Sequence, residues 1–345
     1  MYDIAIIGLG PAGATLARLL SIKYKVIAID RTTTQTGKCC GGLLSPDAQK
    51  ILAKFDICLP KDVLADPQIF SVKTIDLDNN IERFYQRFYV NMDRMKFEKF
   101  LVSLIPQNIE ICKNTTCVKI EKNGKTYTLE LKTNGIRRIE KAKIVIGADG
   151  ANSIVRRTFY KKNKIDKYVA IQEWYENKSN SSFYSCIFDR KITDSYCWTI
   201  SKDNHYIIGG AFPKKDSITR FELFKAKIRN GGIPLDKYFK REGCYVFMNK
   251  GFMSTCTGKN GVYLLGEAAG MISPSSLEGI SYSMESAKIL AGIINTGLNN
   301  IGYRYFTGTL KIRIKLLSKI LKMPFMYNRI LRKTVMKSGL KAIKK

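Results

Sequence analysis

Histidine is almost missing from this chain. His205 is the only one among 345 residues. That excludes Ser-His-Asp and Cys-His mechanisms in their usual form and leaves little to build a zinc site, so no metal is expected. The nine cysteines contain no Cys-x-x-Cys pair, and the chain is too long for a disulfide scaffold. Reduced thiols in a cytoplasmic protein are the expectation. No apolar run approaches the roughly 18 residues that span a bilayer. Met1 leads at once into a strand-like run, so no secretory signal is expected. Any chemistry then falls to a bound cofactor.

Acidic residues are missing from one end. From Ser286 to Lys345 there is no Asp or Glu, against 14 Lys or Arg, in a chain of net charge +29. A one-signed region of this kind favours an anionic partner. Leu316, Leu317, Ile320, Leu321 and Phe325 share one helical face, with Lys315, Lys319 and Lys322 around it. The pattern suits peripheral contact with an anionic membrane. It equally suits a terminal helix packed on its own domain with solvated lysines. No nucleic-acid recognition fold accompanies the charge, so nucleic acid is not expected as a partner.

What remains is a globular chain, 45% apolar, of a length for two interlocked domains. Tyr2 to Ile7 reads as a buried strand, Pro11 to Ile22 as a helix, and Lys25 to Asp30 as a second strand, a unit that implies a parallel sheet. Gly37 to Pro46 is a glycine-rich loop before a helix near Asp47 to Phe55. A helix is predicted from Asp93 to Ile105. Strands are predicted at Cys117 to Glu121 and Thr126 to Leu131, joined at Asn123-Gly124, and at Lys143 to Ile146. From Tyr168 to Phe212 the pattern changes to aromatic-rich strands with polar turns. Val262 to Leu265 returns to a buried strand, with a helix from about Gly279 to Asn295. The last forty residues are helical in pattern and broken at Pro324. Several passes of the chain must therefore return to one parallel sheet, with an antiparallel sheet inserted between them.

Gly8-Leu9-Gly10-Pro11-Ala12-Gly13 is a G-x-G-x-x-G sequence. It follows a buried strand and opens a helix, and Asp30 ends the next strand, the context that gives the motif meaning as a dinucleotide site. Gly8 permits the tight turn, Gly10 lets a pyrophosphate approach the backbone, and Gly13 lets the helix pack on the strand. The helix N-terminus offers N–H groups and positive dipole to phosphate. The Asp30 carboxylate can accept from ribose hydroxyls.

Later segments carry a resemblance. Gly147-Ala148-Asp149-Gly150 through Arg156 resembles the Asp-Gly segment of flavoprotein monooxygenases and their relatives. Gly266-Glu267-Ala268-Ala269-Gly270 resembles their second flavin motif, and Asp93-Arg94 with Phe97 their arginine helix. More finely, the chain resembles the geranylgeranyl reductase family and, within it, the CbrA-like FAD-dependent oxidoreductases. Lys38-Cys39-Cys40-Gly41-Gly42-Leu43-Leu44 through Gln49 is similar to their Lys-Pro-Cys-Gly-Gly loop. Pro274 through Ile280 is similar to their flavin-covering loop, and Tyr196 through Ile200, with Gly209, to the Tyr-x-Trp-x-Phe-Pro…Gly motif of their substrate sheet. The likeness covers about residues 1 to 300. It departs at Cys39, where Pro is usual, at Ile200-Ser201 for Phe-Pro, and at Glu267, where Asp is commoner.

The resemblance implies an α/β fold: a Rossmann-like parallel FAD-binding sheet of the p-hydroxybenzoate hydroxylase type, an inserted antiparallel sheet domain of α+β character and a helical C-terminus. The implied boundaries are 1–65, 92–160 and 257–300 for a discontinuous FAD-binding domain, 66–91 and 161–256 for the substrate domain, and 301–345 for the basic tail. FAD contacts are implied for Gly8, Gly10, Pro11, Ala12, Gly13, Asp30, Arg31, Lys38, Cys40, Gly41, Gly42, Arg94, Val118, Asp149, Gly150, Gly266, Glu267, Pro274, Gly279 and Ile280. Backbone N–H groups at Gly279 and Ile280, opening a helix, suit negative charge at the N1–O2 edge of reduced flavin. Cys40 is the candidate catalytic residue, as a proton donor or a shaper of the pocket, with a small buried thiol as the plainer reading. Tyr196, Trp198 and Gly209 are implied substrate residues, though aromatic strand residues also serve as core. With a single G-x-G-x-x-G, no dedicated NAD(P)H domain is expected, so NAD(P)H or another reductant would bind transiently.

The implied activity is reduction of carbon–carbon double bonds in an apolar, isoprenoid or lipid-like substrate, by hydride transfer from flavin N5. The alternatives are an NAD(P)H-dependent flavin monooxygenase acting on an aromatic or polycyclic substrate, and a flavin-binding redox carrier without turnover at a membrane surface.

Overall fold

The computed structural model describes residues 1–31, 38–176, 183–232, 235–251 and 254–343. Gly37, the start of the glycine-rich loop, and the last two lysines lie outside them. In chain order the strands are β1 (Tyr2–Ile7), β2 (Val26–Ile29), β3 (Leu43–Leu44), β4 (Ile69–Asp76), β5 (Ile81–Asn91), β6 (Glu110–Cys112), β7 (Thr115–Asn123), β8 (Thr126–Thr133), β9 (Ile136–Gly147), β10 (Asp166–Glu176), β11 (Tyr184–Phe188), β12 (Cys197–Lys202), β13 (His205–Pro213), β14 (Lys240–Met248), β15 (Gly258–Lys259) and β16 (Val262–Leu264). The helices are α1 (Pro11–Leu19), α2 (Pro46–Lys54), α3 (Arg94–Ser103), α4 (Ile154–Phe159), α5 (Ser217–Asn230), α6 (Ile280–Asn295), α7 (Ile301–Gly308), α8 (Leu310–Tyr327) and α9 (Arg329–Ser338).

The chain forms two compact units. The first comprises Met1–Gly37, Phe97–Asp166 and Phe247–Ile320, and the second Lys38–Lys96, Lys167–Val246 and Leu321–Lys345. The expected boundaries place residues 38–65 and 92–96 in the nucleotide-binding part. They pack with the second unit instead, because β3 pairs with β5 through Leu43 and Asn91. The Met92 N–H also donates to Gly42 O at 2.8 Å. Residues 247–251 and 254–256 go with the first unit, where Cys256 N–H donates to Ala269 O and Asn249 Nδ2 to Gly270 O, both at 2.9 Å.

In the first unit, β16-β9-β1-β2-β6 run parallel, with β8 added antiparallel to β9. Ile4, Ile6, Ile27, Val145 and Leu264 are fully or almost fully buried, as a parallel sheet covered on both faces requires. The strand predicted at Lys143 begins earlier, at Ile136, because the exposed Ile136 and Ile139 pair with β8 rather than fill a core.

The second unit holds the order β14-β10-β13-β12-β11-β4-β5-β3. All its pairs with a given register are antiparallel except β11 with β4. Its core joins Tyr206, Ile208 and Phe212 of β13 to Phe221, Phe224 and Ile228 of α5. Tyr196 lies just before β12, not within it. The hairpin β4–β5 falls in the 66–91 segment expected to belong to the antiparallel sheet, though its strands are not legible one by one; helix α5 has no counterpart in the sequence pattern.

The C-terminal region is helical as predicted, but α8 does not break at Pro324. Proline lacks the N–H that would reach back four residues, and the helix runs only three residues further, to Tyr327. Asn328 N–H then donates to Pro324 O at 3.0 Å, and its Oδ1 caps α9 by accepting from Ile330 N–H. The apolar face read from Leu316 to Phe325 is split: Leu316 is buried, while Leu321 and Phe325 are 61% and 52% exposed.

Candidate cofactor site

Strand register in the first unit sets the site. Leu264 stands opposite Gly147, Gly147 opposite Ile7, and Ile7 opposite Ile29. The carboxyl ends of four parallel strands therefore lie in one row, the place where open α/β sheets take ligands. The next residue of each strand is hydrogen-bonded across the row. Gly8 N–H donates to Ile29 O, Ala148 N–H to Ile7 O and Leu265 N–H to Gly147 O, at 2.8, 2.8 and 2.9 Å. From this row spring the loops carrying Gly8–Gly13, Asp30 with Arg31, Asp149-Gly150 and Gly266-Glu267.

The glycines are dictated by contact. Gly8 has φ +97°, and a Cβ there would stand 2.8 Å from Ala148 O. A Cβ on Gly13 would stand 1.8 Å from Gly8 O, so only glycine lets α1 approach its strand. At Gly10 a Cβ would meet only Glu98 Oε1, at 3.7 Å, so the backbone there faces open space. Gly10 is the N-cap of α1, with no side-chain cap, Pro11 at the first turn and no acidic residue there. Ala12 is buried behind it. A helix start left this way suits a diphosphate.

Asp149 Oδ2 accepts from Ile154 N–H at 2.7 Å. Its Oδ1 is buried with no partner among the described residues. Burial pushes its pKa up, against the opposing hydrogen bonds from Ser153 and the backbone. A buried carboxylate oxygen seldom goes unbonded, and a hydroxyl-bearing ligand would satisfy it. Glu267 is buried; its Oε1 accepts from Phe247 N–H at 3.0 Å. Its Oε2 comes 3.6 Å from where a Gly150 Cβ would be, so the Asp149-Gly150 and Gly266-Glu267 segments meet. Gly266, at φ +50°, is held by Ser286 Oγ, which accepts its N–H at 3.1 Å. Arg156 clamps the same turn, donating to Ala268 O at 2.8 Å and Ser254 O at 3.1 Å.

The remaining first-unit residues are placed less uniformly. Pro274 is buried in the turn before α6, and Gly279 is that helix's N-cap. The Glu278 carboxylate accepts from the Ser281 N–H at 2.8 Å, so one N–H of the helix start, just after Ile280, is already taken. Arg31 is exposed, and Val118 lies at a bulge on β7, a strand outside the row.

The other candidates belong to the second unit. Lys38 is exposed, Cys40 half-buried, and Arg94 begins α3. Cys40 Sγ accepts from Gly42 N–H at 3.4 Å. A Cβ on Gly41 would stand 2.3 Å from Ile200 Cδ1, and one on Gly42 2.2 Å from Met92 O. The loop is therefore pressed onto β12. Beneath it lies Lys202, 3% exposed. Its Nζ donates to Met92 O at 2.6 Å, Asn91 Oδ1 at 2.7 Å and Gly42 O at 3.4 Å. Lys202 was not foreseen, because a lysine on a strand carries no signal of burial. Tyr196 and Trp198 are buried, their rings 5.8 Å apart. A Cβ on Gly209 would stand 2.5 Å from Trp198 Nε1, so that glycine makes room for the indole. Gln172 and Glu242 also line this sheet and had no sequence motif to mark them.

A parallel sheet with these loops at its carboxyl edge, joined to a second sheet, is the architecture of flavoproteins of the p-hydroxybenzoate hydroxylase type, and FAD is their cofactor. The family model for an FAD-binding domain matches residues 1–176. The chain is 45% identical to Protein CbrA of Shigella dysenteriae over 343 residues, which is 98% of this chain and 97% of that one. It belongs to the CbrA-like FAD-dependent oxidoreductases. Among solved structures, a geranylgeranyl bacteriochlorophyll reductase-like protein of Thermoplasma acidophilum superposes with TM-score 0.75 at 16% identity, over 97% of this chain and 98% of that one. The Pseudomonas aeruginosa protein PqsL, solved with 2-aminobenzoylacetate, superposes with TM-score 0.72 at 14% identity over 97% and 99%. Both share the fold.

Proposed function

We propose that the protein reduces carbon–carbon double bonds of an apolar, isoprenoid-like substrate. The observation that carries this reading is the seating of the 38–44 loop on β12 in the second unit, with Gly41 against Ile200. Two of the three segments that resemble geranylgeranyl reductases thus form one surface. The name of the Thermoplasma neighbour agrees with it. When bound, FAD supplies a hydride from N5, renewed by a reductant of the NAD(P)H class. The hydride goes to one alkene carbon and a proton to the other, so the product gains two hydrogens and no oxygen. The Gly8–Gly13 turn and the α1 N-terminus would hold the diphosphate, and Asp149 and Glu267 would hold hydroxyl groups of the cofactor. Tyr196, Trp198 and Ile200 would keep water from the alkene, and the Cys40 thiol is the loop's candidate proton donor.

Holoprotein reduced without oxygen and mixed with a polyprenyl alcohol tests this. The expected result is oxidation of the flavin matched by a product two hydrogens heavier. A hydroxylated product formed only with O₂ overturns the reading in favour of a monooxygenase. Flavin that no donor reduces overturns it in favour of a redox carrier.

We infer that the substrate is met at an anionic membrane. Among the described residues no helix is long and apolar enough to cross one. Leu321, Phe325, Ile330 and Leu340 are each more than half exposed, with Lys322, Arg329, Lys333, Lys337 and Lys341 exposed around them. Apolar side chains set among cations and no anions fit acidic headgroups.

A further inference from the structure

Two buried polar atoms in the second sheet lack partners among the described residues: the indole Nε1 of Trp198 and the amide Oε1 of Gln172. Their residues are 7% and 0% exposed. Leaving such groups unbonded costs about 1–3 kcal/mol each, so a pair of them marks a candidate place for a bound polar group or an ordered water.

Register puts them together. Trp198 faces Gly209 across β12 and β13, and Gly209 faces Gln172 across β13 and β10. Residues directly opposed in a sheet share one face and stand about 5 Å apart. The indole leans over Gly209, its Nε1 2.5 Å from where a Cβ there would sit. The indole N–H and the Gln172 amide therefore lie on one face of the sheet, on either side of a position that has no side chain. Gln172 Nε2 also reaches Cys40 O at 3.4 Å, so this spot borders the Lys38–Leu44 loop.

The chemistry of the spot is fixed from behind. Gln172 Nε2 donates to Glu242 Oε2 at 2.7 Å, and Trp174 Nε1 donates to the same oxygen at 2.9 Å. Lys240 Nζ holds the other carboxylate oxygen at 2.7 Å. Turning the Gln172 amide over would set oxygen against carboxylate, so Oε1 must remain an acceptor directed elsewhere. One unpartnered donor and one unpartnered acceptor then share this face of the sheet. A group that both accepts and donates satisfies them. A hydroxyl does so. A fully ionised phosphate or carboxylate brings no proton for Oε1, and an ether or hydrocarbon leaves one or both atoms unbonded.

We propose that Trp198 Nε1–H and Gln172 Oε1 form a hydroxyl-recognition site, and that the apolar substrate is a neutral alcohol held there by its OH. This rests on the reductase reading for the rest of the ligand, but not on turnover. Binding to the holoprotein is measured by the shift in the flavin spectrum, with geranylgeraniol, its methyl ether and geranylgeranyl phosphate as probes. The expected order is alcohol above both others, by about tenfold for each lost hydrogen bond. Gln172→Leu is expected to erase the preference for alcohol over ether. Trp198→Phe is expected to weaken alcohol and ether alike. The wild-type series alone decides the matter if either variant loses its flavin. Equal affinity for alcohol and ether overturns the proposal, as does an ordered water that stays between the two side chains with the alcohol bound. If the alcohol binds with this preference but is not reduced, the site stands and the reductase reading falls.

Discussion

Lys202 carries its ammonium into a buried niche of two carbonyls and the Asn91 side chain. Burial is the main cause that brings its pKa down to about 8, against weaker opposing pulls from Cys40, Asp93 and Asp203. Between that value and the usual lysine range the unfolded chain binds the extra proton and the folded chain does not. Stability therefore rises with pH across that window, by about 1.4 kcal/mol for each unit of displacement. Lys202→Met removes the titrating group. The stability gap between wild type and variant is expected to move by about 3 kcal/mol in favour of wild type from pH 7 to pH 10.5. Urea unfolding at a series of pH values measures it. A gap that does not change with pH contradicts the assignment of a charged, desolvated amine. Comparing the two proteins cancels the buried tyrosines and cysteines, whose raised pKa values act in the opposite direction.

At the scale of elements, the C-terminal helices show how a basic segment is both anchored and displayed. Arg332 of α9 is 4% exposed and bonds Asp76 and Asp78 at 2.9 and 2.8 Å. Arg83 Nε donates to Met336 O at 3.0 Å from β5. These bonds fix one face of α9 on the β4–β5 hairpin, which leaves Ile330 72% exposed. The protein is expected to sediment with phosphatidylglycerol vesicles and not with phosphatidylcholine vesicles, less so at high salt. Replacing Leu321 and Phe325 by Glu is expected to weaken this about tenfold or more. Equal binding to both lipids, or to neither, contradicts the membrane inference. The helices were legible because their apolar spacing survives in a lysine-rich sequence. Their burial was not, since Leu316 and Leu321 read alike and only packing separates them. The hairpin β4–β5 escaped for the opposite reason: Phe70 and Phe88 are 65% and 53% exposed, so inward and outward residues do not alternate cleanly.

The whole molecule interleaves two units through three passes of the chain each. The parallel sheet could be read from short apolar runs that each end in glycine or aspartate: Ile7 before Gly8, Ile29 before Asp30, Ile146 before Gly147. What could not be read was the allegiance of connecting segments such as 38–65, which depends on the pairing of Leu43 with Asn91. Nor could the Gln172–Gly209–Trp198 row be read, since it depends on register across three strands. The nucleotide turn, by contrast, is local, and the contact between Gly13 and Gly8 O is enough to impose it. Titration of FAD into flavin-stripped protein, followed by quenching of flavin fluorescence, tests that turn most directly. Stoichiometric uptake by the wild type is expected, with loss of uptake in a Gly13→Val protein that still unfolds cooperatively. A wild type that takes up no FAD, or a folded Gly13→Val protein that binds it as well, would contradict a cofactor seated on α1.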